Sequence, residues 1–153
     1  LGHSNHADIW EAFCNCLGEQ IDIGLLEMAF RNTPKNERMF EVCKDLKANY
    51  RLGVITDNST ERSDVLKKKM DLPSIFDCFV VSGEIGSRKD SAVNSRAALN
   101  LTGTSPEECV FIDNNPSNLI VPEELGFKVI FHDHEKNDIS GLRRHLKECG
   151  LTL

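Results

Sequence analysis

The spacing of hydrophobic residues changes near residue 50. Before that point apolar residues recur every three or four positions, a spacing that predicts helices with one buried face. These residues are Ile9, Trp10, Phe13 and Leu17; Leu25, Leu26, Met28, Ala29 and Phe30; and, after a turn at Thr33-Pro34, Met39, Phe40, Cys43 and Leu46. The first third of the chain is therefore predicted to hold three helices, the last ending near Asn49, and no strand.

From residue 52 the pattern becomes one of short continuous apolar runs. The runs cover 52–56, 78–81, 109–113 and 127–131, and the segments predicted to be helical after them cover 60–70, 89–100, 116–125 and 138–149. Apolar runs that alternate with helices indicate a parallel sheet covered on both faces. We therefore predict an α/β fold, a Rossmann-like three-layer α/β/α core with a parallel sheet, preceded by a helical segment.

Capping chemistry marks two of the predicted helix starts. Ser105-Pro106-Glu107-Glu108 combines an N-cap serine, a proline at the first helical position and a glutamate placed for a capping box. Asn115-Pro116 marks the next start in the same way, and Gly126 is expected to end that helix.

Composition narrows the classes of function. The 153 residues fall in the single-domain range, and the net charge of -6 argues against binding to the phosphates of nucleic acid. No apolar run reaches the length of a membrane span, and the first residues do not form a signal peptide. The six cysteines are scattered, so reduced thiols are expected. We predict a soluble, cytoplasmic protein with no nucleic-acid or membrane partner.

Polar residues follow three of the apolar runs, where ligands bind in such sheets. The first group is Thr56-Asp57-Asn58-Ser59, which brings a hydroxyl and free backbone N–H groups to a helix N-terminus. Such a place suits a phosphate. The alternative interpretation is a capped helix start, with Asn58 or Ser59 as the cap.

The second group is the loop 82–90, which contains two glycines and Lys89. Glycines allow close backbone approach, and a lysine at the predicted start of the next helix opposes the helix dipole. That cost is reasonable if the lysine holds an anion. A solvent-facing lysine beside Asp90 is the alternative.

The third group is Asp113-Asn114-Asn115, which begins with an aspartate at the carboxyl end of an apolar run. A carboxylate with oxygen-rich neighbours suits Mg²⁺. The alternative is an Asx turn with no ligand.

Together, these blocks resemble a known superfamily. G-V-I-T-D-N-S, S-G-E-I-G-S-R-K and V-F-I-D-N-N-P-S-N, with E-L-G-F-K-V-I after them, resemble the second, third and fourth motifs of the haloacid dehalogenase superfamily. The likeness spans about 50–135 and points to the phosphatase and dehalogenase branch. It implies a partial helical cap with its return into the core over 1–49, and an α/β core lacking its first strand over 50–153.

The resemblance also implies a role for each site residue. The implied catalytic residues are Thr56, Lys89 and Asp113; the implied phosphate-binding residues are Thr56, Asp57, Asn58 and Lys89; and the implied Mg²⁺ ligands are Asp113 and Asn114, with polar support from Asn118. In the family, an aspartate attacks the substrate phosphorus, and water then hydrolyses the aspartyl-phosphate.

Three departures from the family pattern stand out. Asp90 replaces the proline that usually follows the lysine, and Asn114 replaces a frequent second aspartate. The first motif, an apolar strand ending in D-x-D that supplies the nucleophile, is not found, since 7–10 holds one aspartate and no strand. We expect a chain truncated at its N-terminal side. If it does begin at Leu1, the strands at 52–56 and 109–113 are expected to pair with each other or with another chain.

The resemblance predicts Mg²⁺-dependent hydrolysis of a small phosphorylated metabolite, with the nucleophile outside this chain. One alternative is a catalytically inactive binding or dimerisation domain, for which a homodimer is left open. A 2-haloacid dehalogenase is a second alternative, although Asp113 favours phosphate chemistry. A receiver-like domain fits the fold pattern alone and would need an acidic cluster after its first strand. His132 and His134 are expected to lie in a surface loop.

Overall fold

The computed structural model describes residues 6–153. In chain order, its elements are α1 His6–Leu17, α2 Gly24–Arg31, α3 Glu37–Lys47, β1 Gly53–Thr56, α4 Thr60–Lys69, β2 Cys78–Val81, α5 Ser82–Ile85, α6 Ala92–Thr102, β3 Val110–Asp113, α7 Ser117–Glu124, β4 Lys128–Phe131 and α8 Ile139–Glu148, with 3₁₀ turns at Leu72–Ser74 and Pro106–Glu108. The predicted α/β class and the three helices before residue 50 are confirmed.

The strands form two parallel pairs within the described residues. β1 pairs with β2 and β3 pairs with β4, in separate two-stranded sheets. The expectation that β1 and β3 pair with each other is therefore wrong. Helix α6 contacts β1, β2 and α7, so the two pairs are joined through a helix instead of a backbone ladder. Pairing with another chain stays a prediction.

The burial of the strands reflects this division. In β2, Val80 and Val81 are fully buried. In β1 and β3, by contrast, the apolar residues Val54, Ile55 and Phe111 remain partly exposed. A central strand of a sheet covered on both faces is normally buried throughout. In the part of the chain that the structure describes, β1 and β3 therefore each have one strand neighbour and an apolar surface that is only partly covered.

The main hydrophobic cluster joins α3 to α8. Its buried members are Val42, Leu46, Ile130, Ile139, Leu142 and Leu146, and Leu52 and Ile112 pack against it. Burying each side chain of this size contributes about 1.5–3 kcal/mol. Helix α3 is thus part of the packed core. The division of the chain at residue 49 stays a prediction, and the first five residues of the segment 1–49 lie outside the described residues.

Helices α1 and α2 are less well covered. Ile9, Phe13 and Leu17 lie one turn apart on α1 and are each about half exposed, whereas Cys14 is buried. Helix α2 packs on α4, where the Lys69 ammonium donates hydrogen bonds to two carbonyl oxygens at the end of α2. All six cysteines are free thiols. None of the helices within 6–153 combines the length and the apolar character needed to cross a membrane.

Two predicted boundaries around Lys89 are wrong. The side chain of Ser91 accepts a hydrogen bond from the Val93 amide and caps α6, so that helix begins at Ala92. Lys89 therefore lies in a turn before the helix, and the expected conflict with the helix dipole does not arise. Residues predicted to be loop instead form the single turn α5, which ends where Gly86 adopts a φ of 76°.

The capping box at residue 105 is present, but it begins no α-helix. The Glu108 carboxylate accepts hydrogen bonds from the Ser105 backbone and hydroxyl. Only one 3₁₀ turn follows, because Cys109 is already extended and β3 begins at Val110. The start of β3 therefore prevents the capping box from beginning an α-helix.

Candidate functional site

The end of β1 presents the hydroxyl of Thr56. The Asn58 side-chain amide donates a 2.6 Å hydrogen bond to Thr56 Oγ1. Because the hydroxyl oxygen accepts this bond, its proton is left to donate to a ligand oxygen. Ser59 caps α4 by accepting from the Arg62 amide, so the capped helix start considered from the sequence is also present.

Gly83 allows the loop after β2 to approach the loop after β1 closely. Its amide donates to the Asn58 carbonyl at 3.1 Å. A Cβ at this position would lie 2.9 Å from the Thr60 nitrogen and 3.0 Å from Ser59 Cα. Both are backbone atoms that cannot swing away. A glycine is thus required here, and the two loops are held in a fixed relation.

The carboxylate of Asp57 points toward the loop that carries Lys89. Asp57 Oδ1 accepts a 2.5 Å hydrogen bond from the Ser82 hydroxyl and a 3.0 Å bond from the Lys89 backbone amide. A carboxylate is negatively charged, so its own charge repels a phosphate. The phosphate-binding role of Asp57 stays a prediction.

Asn94 supports the same loop from inside the protein. Its side chain is 1% exposed, and its amide nitrogen donates to Ser82 Oγ at 3.3 Å and to the Ser87 carbonyl at 3.2 Å. Ser82 is equally buried. We refer to Asp57, Ser82 and Asn94 as the loop network. Ser82 and Asn94 carry no sequence signal for a role at the site, because only the tertiary contacts reveal that a polar residue on α6 faces the loop.

Lys89 and Asp113 form an ion pair in which the aspartate is buried and the lysine is partly buried. The Lys89 Nζ to Asp113 Oδ2 distance is 2.7 Å, and the side chains are 18% and 2% exposed. Asp113 Oδ1 accepts bonds from the Asn115 backbone amide at 2.8 Å and the Asn118 side chain at 3.1 Å. These contacts link the ends of β1 and β3, because the Lys89 backbone is also bound by Asp57.

Opposing effects act on the pKa of Asp113. Burial acts to raise it, but the hydrogen bond from Lys89, the Asn115 amide, the charge of Lys89 and the Asn118 amide together outweigh burial. The pKa of this carboxyl is therefore lower than its usual value of 3.8. Asp113 is ionised at neutral pH and balances the lysine charge.

The predicted metal residues are placed differently from each other. Asp113 lies at the centre of the site, whereas Asn114 is exposed and its side-chain nitrogen lies 3.1 Å from His134 Nδ1. Asn118, expected only as support, donates a hydrogen bond to Asp113 directly.

His132 is 9% exposed and therefore buried, so its predicted surface position is wrong. Its ring nitrogen lies 3.4 Å from Asn137 Oδ1.

The residues present fit a Mg²⁺ ion in part. Asp113 Oδ2 accepts one hydrogen bond, from Lys89, so that oxygen retains a lone pair for a metal. Proteins often hold Mg²⁺ through one or two carboxylates, with water and substrate phosphate completing the shell. Across residues 6–153 there is no group of three or more His, Cys, Asp or Glu side chains suited to a metal. Asp113 thus suits a metal site that it shares with other ligands.

Comparison with known proteins identifies the family of this chain. A sequence profile of haloacid dehalogenase-like hydrolases matches residues 25–132, more than half of the chain. No curated protein sequence matches. The chain therefore belongs to the haloacid dehalogenase-like hydrolase family.

Solved structures share its fold. A predicted HAD-like hydrolase of Porphyromonas gingivalis is similar with a TM-score of 0.81 and 23% identity, over 95% of this chain and 75% of that one. A HAD family enzyme of Bacteroides thetaiotaomicron, solved as an aspartate-to-alanine variant with magnesium and inorganic phosphate, gives a TM-score of 0.76 and 17% identity, over 85% and 71%. A HAD phosphatase of Thermococcus onnurineus gives 0.66 and 17%, over 90% and 70%.

Proposed function

We propose that this haloacid dehalogenase-like hydrolase takes part in Mg²⁺-dependent hydrolysis of phosphate monoesters, with a small phosphorylated metabolite as substrate. The observation that carries the proposal is the partly buried Lys89–Asp113 ion pair of 2.7 Å, which lies where β1 and β3 end. A cation and an ionised carboxylate held together in a polar loop cluster suit a dianionic phosphate and a divalent metal. The magnesium and phosphate bound by the Bacteroides relative support the same chemistry.

Each site residue then has a distinct task. The Thr56 hydroxyl donates a hydrogen bond to a phosphoryl oxygen, with Asn58 fixing its orientation. The Lys89 ammonium neutralises charge on the phosphoryl group. Asp113 would hold Mg²⁺ through Oδ2, with Asn114 as a further oxygen ligand and Asn118 keeping the Asp113 carboxylate in place. When bound, the metal supplies positive charge for phosphoryl oxygens.

The nucleophile is proposed to come from outside the described residues. Within residues 6–153, β1 and β3 each have no second strand neighbour, so a parallel apolar strand from elsewhere could pair with both. An aspartate at the end of that strand would reach the phosphate beside Lys89. Its carboxylate oxygen would bond to phosphorus while the phosphorus–oxygen bond to the substrate breaks, and the leaving oxygen would take a proton from the second aspartate of the D-x-D segment. Water would then attack the phosphorus and give its proton back to that second aspartate, which releases inorganic phosphate and restores the first carboxylate.

Hydrolysis of an aryl phosphate by the purified chain, with and without Mg²⁺, tests the missing nucleophile. We expect no turnover above that of Lys89→Ala. Mg²⁺-dependent turnover that is lost in Lys89→Ala would mean that the nucleophile lies within this chain. Turnover restored by adding an apolar strand segment ending in D-x-D would support the proposal directly.

Binding of inorganic phosphate tests the site itself. Calorimetry should show phosphate binding that strengthens with Mg²⁺ and is lost in Lys89→Ala and Asp113→Asn. Absence of binding by the unaltered chain would contradict the proposed function. Normal phosphate binding without any turnover, even after the D-x-D segment is added, would instead favour a catalytically inactive binding domain. The cytoplasmic location and a homodimer stay predictions.

A further inference from the structure

We propose that Asp57 is a positioning residue for Lys89, and that its carboxylate holds the loop of the lysine instead of binding phosphate. The inference rests on the proposed function, in which Lys89 neutralises the phosphoryl group. Asp57 then accepts a hydrogen bond from the protein backbone and is not a ligand for the anion.

Both hydrogen bonds of Asp57 reach one oxygen. Oδ1 accepts from the Ser82 hydroxyl at 2.5 Å and from the Lys89 backbone amide at 3.0 Å. A lysine side chain is a flexible four-carbon stem, so the position of its ammonium depends on where its backbone is held. Fixing the Lys89 amide next to β1 therefore helps Nζ to reach Asp113, at the end of β3.

Asn94 reinforces the same loop at Ser82, which Asp57 also binds, and at one further point, Ser87. It binds the Ser87 carbonyl and the Ser82 hydroxyl, so the loop is held at Ser82, Ser87 and Lys89. Asn94 is 1% exposed and its Oδ1 is buried without a hydrogen-bond partner. A buried oxygen without a partner is costly. The amide keeps this orientation because its nitrogen donates both hydrogen bonds to the loop. Ser82 and Asn94 thus support the loop of the lysine from the interior, and the exposed Asp57 holds it from the end of β1.

The geometry requires an acceptor oxygen at residue 57 and gives its negative charge no partner among these contacts. An asparagine has a carbonyl oxygen in the same position and no charge. Asp57→Asn should therefore keep both hydrogen bonds, whereas Asp57→Ala loses both. A direct role of the carboxylate in the reaction would predict that both variants fail.

The first readout is the backbone amide of Lys89, followed by its ¹H–¹⁵N resonance and its hydrogen exchange. In Asp57→Ala the resonance should shift upfield and exchange should accelerate, because the bond to Oδ1 is gone. In Asp57→Asn the resonance should stay close to that of the unaltered chain. This measurement needs neither substrate nor metal.

The second readout is the affinity for inorganic phosphate in the presence of Mg²⁺. We expect Asp57→Ala to weaken binding by about tenfold, the scale of one lost hydrogen bond to a charged group, and Asp57→Asn to restore most of that affinity. Asp138→Ala is the matched control. Asp138 also accepts a backbone amide hydrogen bond, from Gly141 at 2.9 Å, as the N-cap of α8. Asp138→Ala should lower the free energy of unfolding, but it should leave the Lys89 amide resonance and the phosphate affinity unchanged.

Two outcomes would overturn the inference. One is an unchanged Lys89 amide in Asp57→Ala, which would mean that Asp57 does not hold the loop. The other is a loss of phosphate affinity in Asp57→Asn as large as in Asp57→Ala, with the Lys89 amide intact, which would make the charge itself necessary. If the unaltered chain does not bind phosphate, the proposed function fails, but the amide readout still decides whether Asp57 positions the lysine.

Discussion

Two lysine–aspartate pairs lie at opposite ends of the strands and differ in burial. Lys47 Nζ lies 2.5 Å from Asp77 Oδ1, and both side chains are 36% exposed. Lys89 and Asp113 lie 2.7 Å apart, with the aspartate 2% exposed. Each aspartate also accepts a backbone amide at 2.8 Å, from Leu52 and from Asn115 respectively. The chemistry of the two pairs is thus the same.

Their surroundings give them different roles. Asp77 precedes β2 and binds the Leu52 backbone just before β1, so this pair fastens the amino ends of two neighbouring strands. Asp113 ends β3, and its lysine comes from a loop bound to the end of β1. An exposed pair contributes little because water and salt screen it, whereas a buried pair must be fully hydrogen bonded. The candidate site therefore differs from the structural contact at Asp77 because its aspartate, Asp113, is buried where several loops meet.

The largest expected difference comes from removing each aspartate. Asp113→Ala leaves the Lys89 charge partly buried without its partner, and we expect the free energy of unfolding to fall by about 3 kcal/mol. Asp77→Ala removes an exposed pair and one backbone contact, so about 1 kcal/mol is expected. Urea denaturation measures both. Equal losses would contradict the distinction drawn between the pairs.

Glycine substitutions at the two ends should differ by a smaller amount. In Gly83→Ala the new Cβ meets backbone at 2.9 Å, so we expect a loss of about 2 kcal/mol in the free energy of unfolding. In Gly53→Ala the new Cβ meets the Cys78 sulfur at 2.7 Å, which can rotate away, and less than about 1 kcal/mol is expected.

Urea denaturation of the two glycine variants gives these losses. Phosphate binding should weaken only in Gly83→Ala, because Gly83 supports the loop of Lys89. Normal phosphate binding by a folded Gly83→Ala variant would show that the close approach of the loops is not needed at the site.

The pH dependence of stability should show the smallest contrast. The pKa of Asp77 is lowered by the Lys47 hydrogen bond and then the Leu52 amide, and the pKa of Asp113 is lowered despite its burial. A carboxyl whose pKa is lower in the folded state stabilises the protein above its unfolded value of 3.8 and loses that contribution as the pH falls through the folded pKa.

Both pairs should therefore weaken in acid. Urea denaturation between pH 6 and pH 3 should give a shallower fall in stability for Asp113→Asn and for Asp77→Asn than for the unaltered chain. Added salt should reduce the contribution of the exposed Asp77 pair more, because ions screen exposed charges. An unfolding free energy that rises as the pH falls below 4 would contradict the sign.

Much of the fold was predictable because its signals are local. Helical spacing predicted α1 to α3, and four short apolar runs predicted four strands, because burial of one face or both imposes these patterns on the sequence itself. The three polar groups after the strands also lie together at one end, since parallel strands all point the same way. Several details failed: β3 cut short the turn at Ser105, Ser91 delayed α6, and β1 and β3 do not pair.

Local patterns in the sequence were sufficient to predict the fold class and the family, and they also singled out Lys89 and Asp113, which the structure brings into contact. The role of Thr56 stays a prediction. Three features follow only from the packing of distant elements: the strands form two separate pairs, Asp57 faces the loop of the lysine, and Asn94 supports that loop from α6. Patterns in sequence record whether a residue is buried and in which element it lies. They do not record which hydrogen-bond partner it meets, because that partner is brought near by the packing of elements distant in the chain.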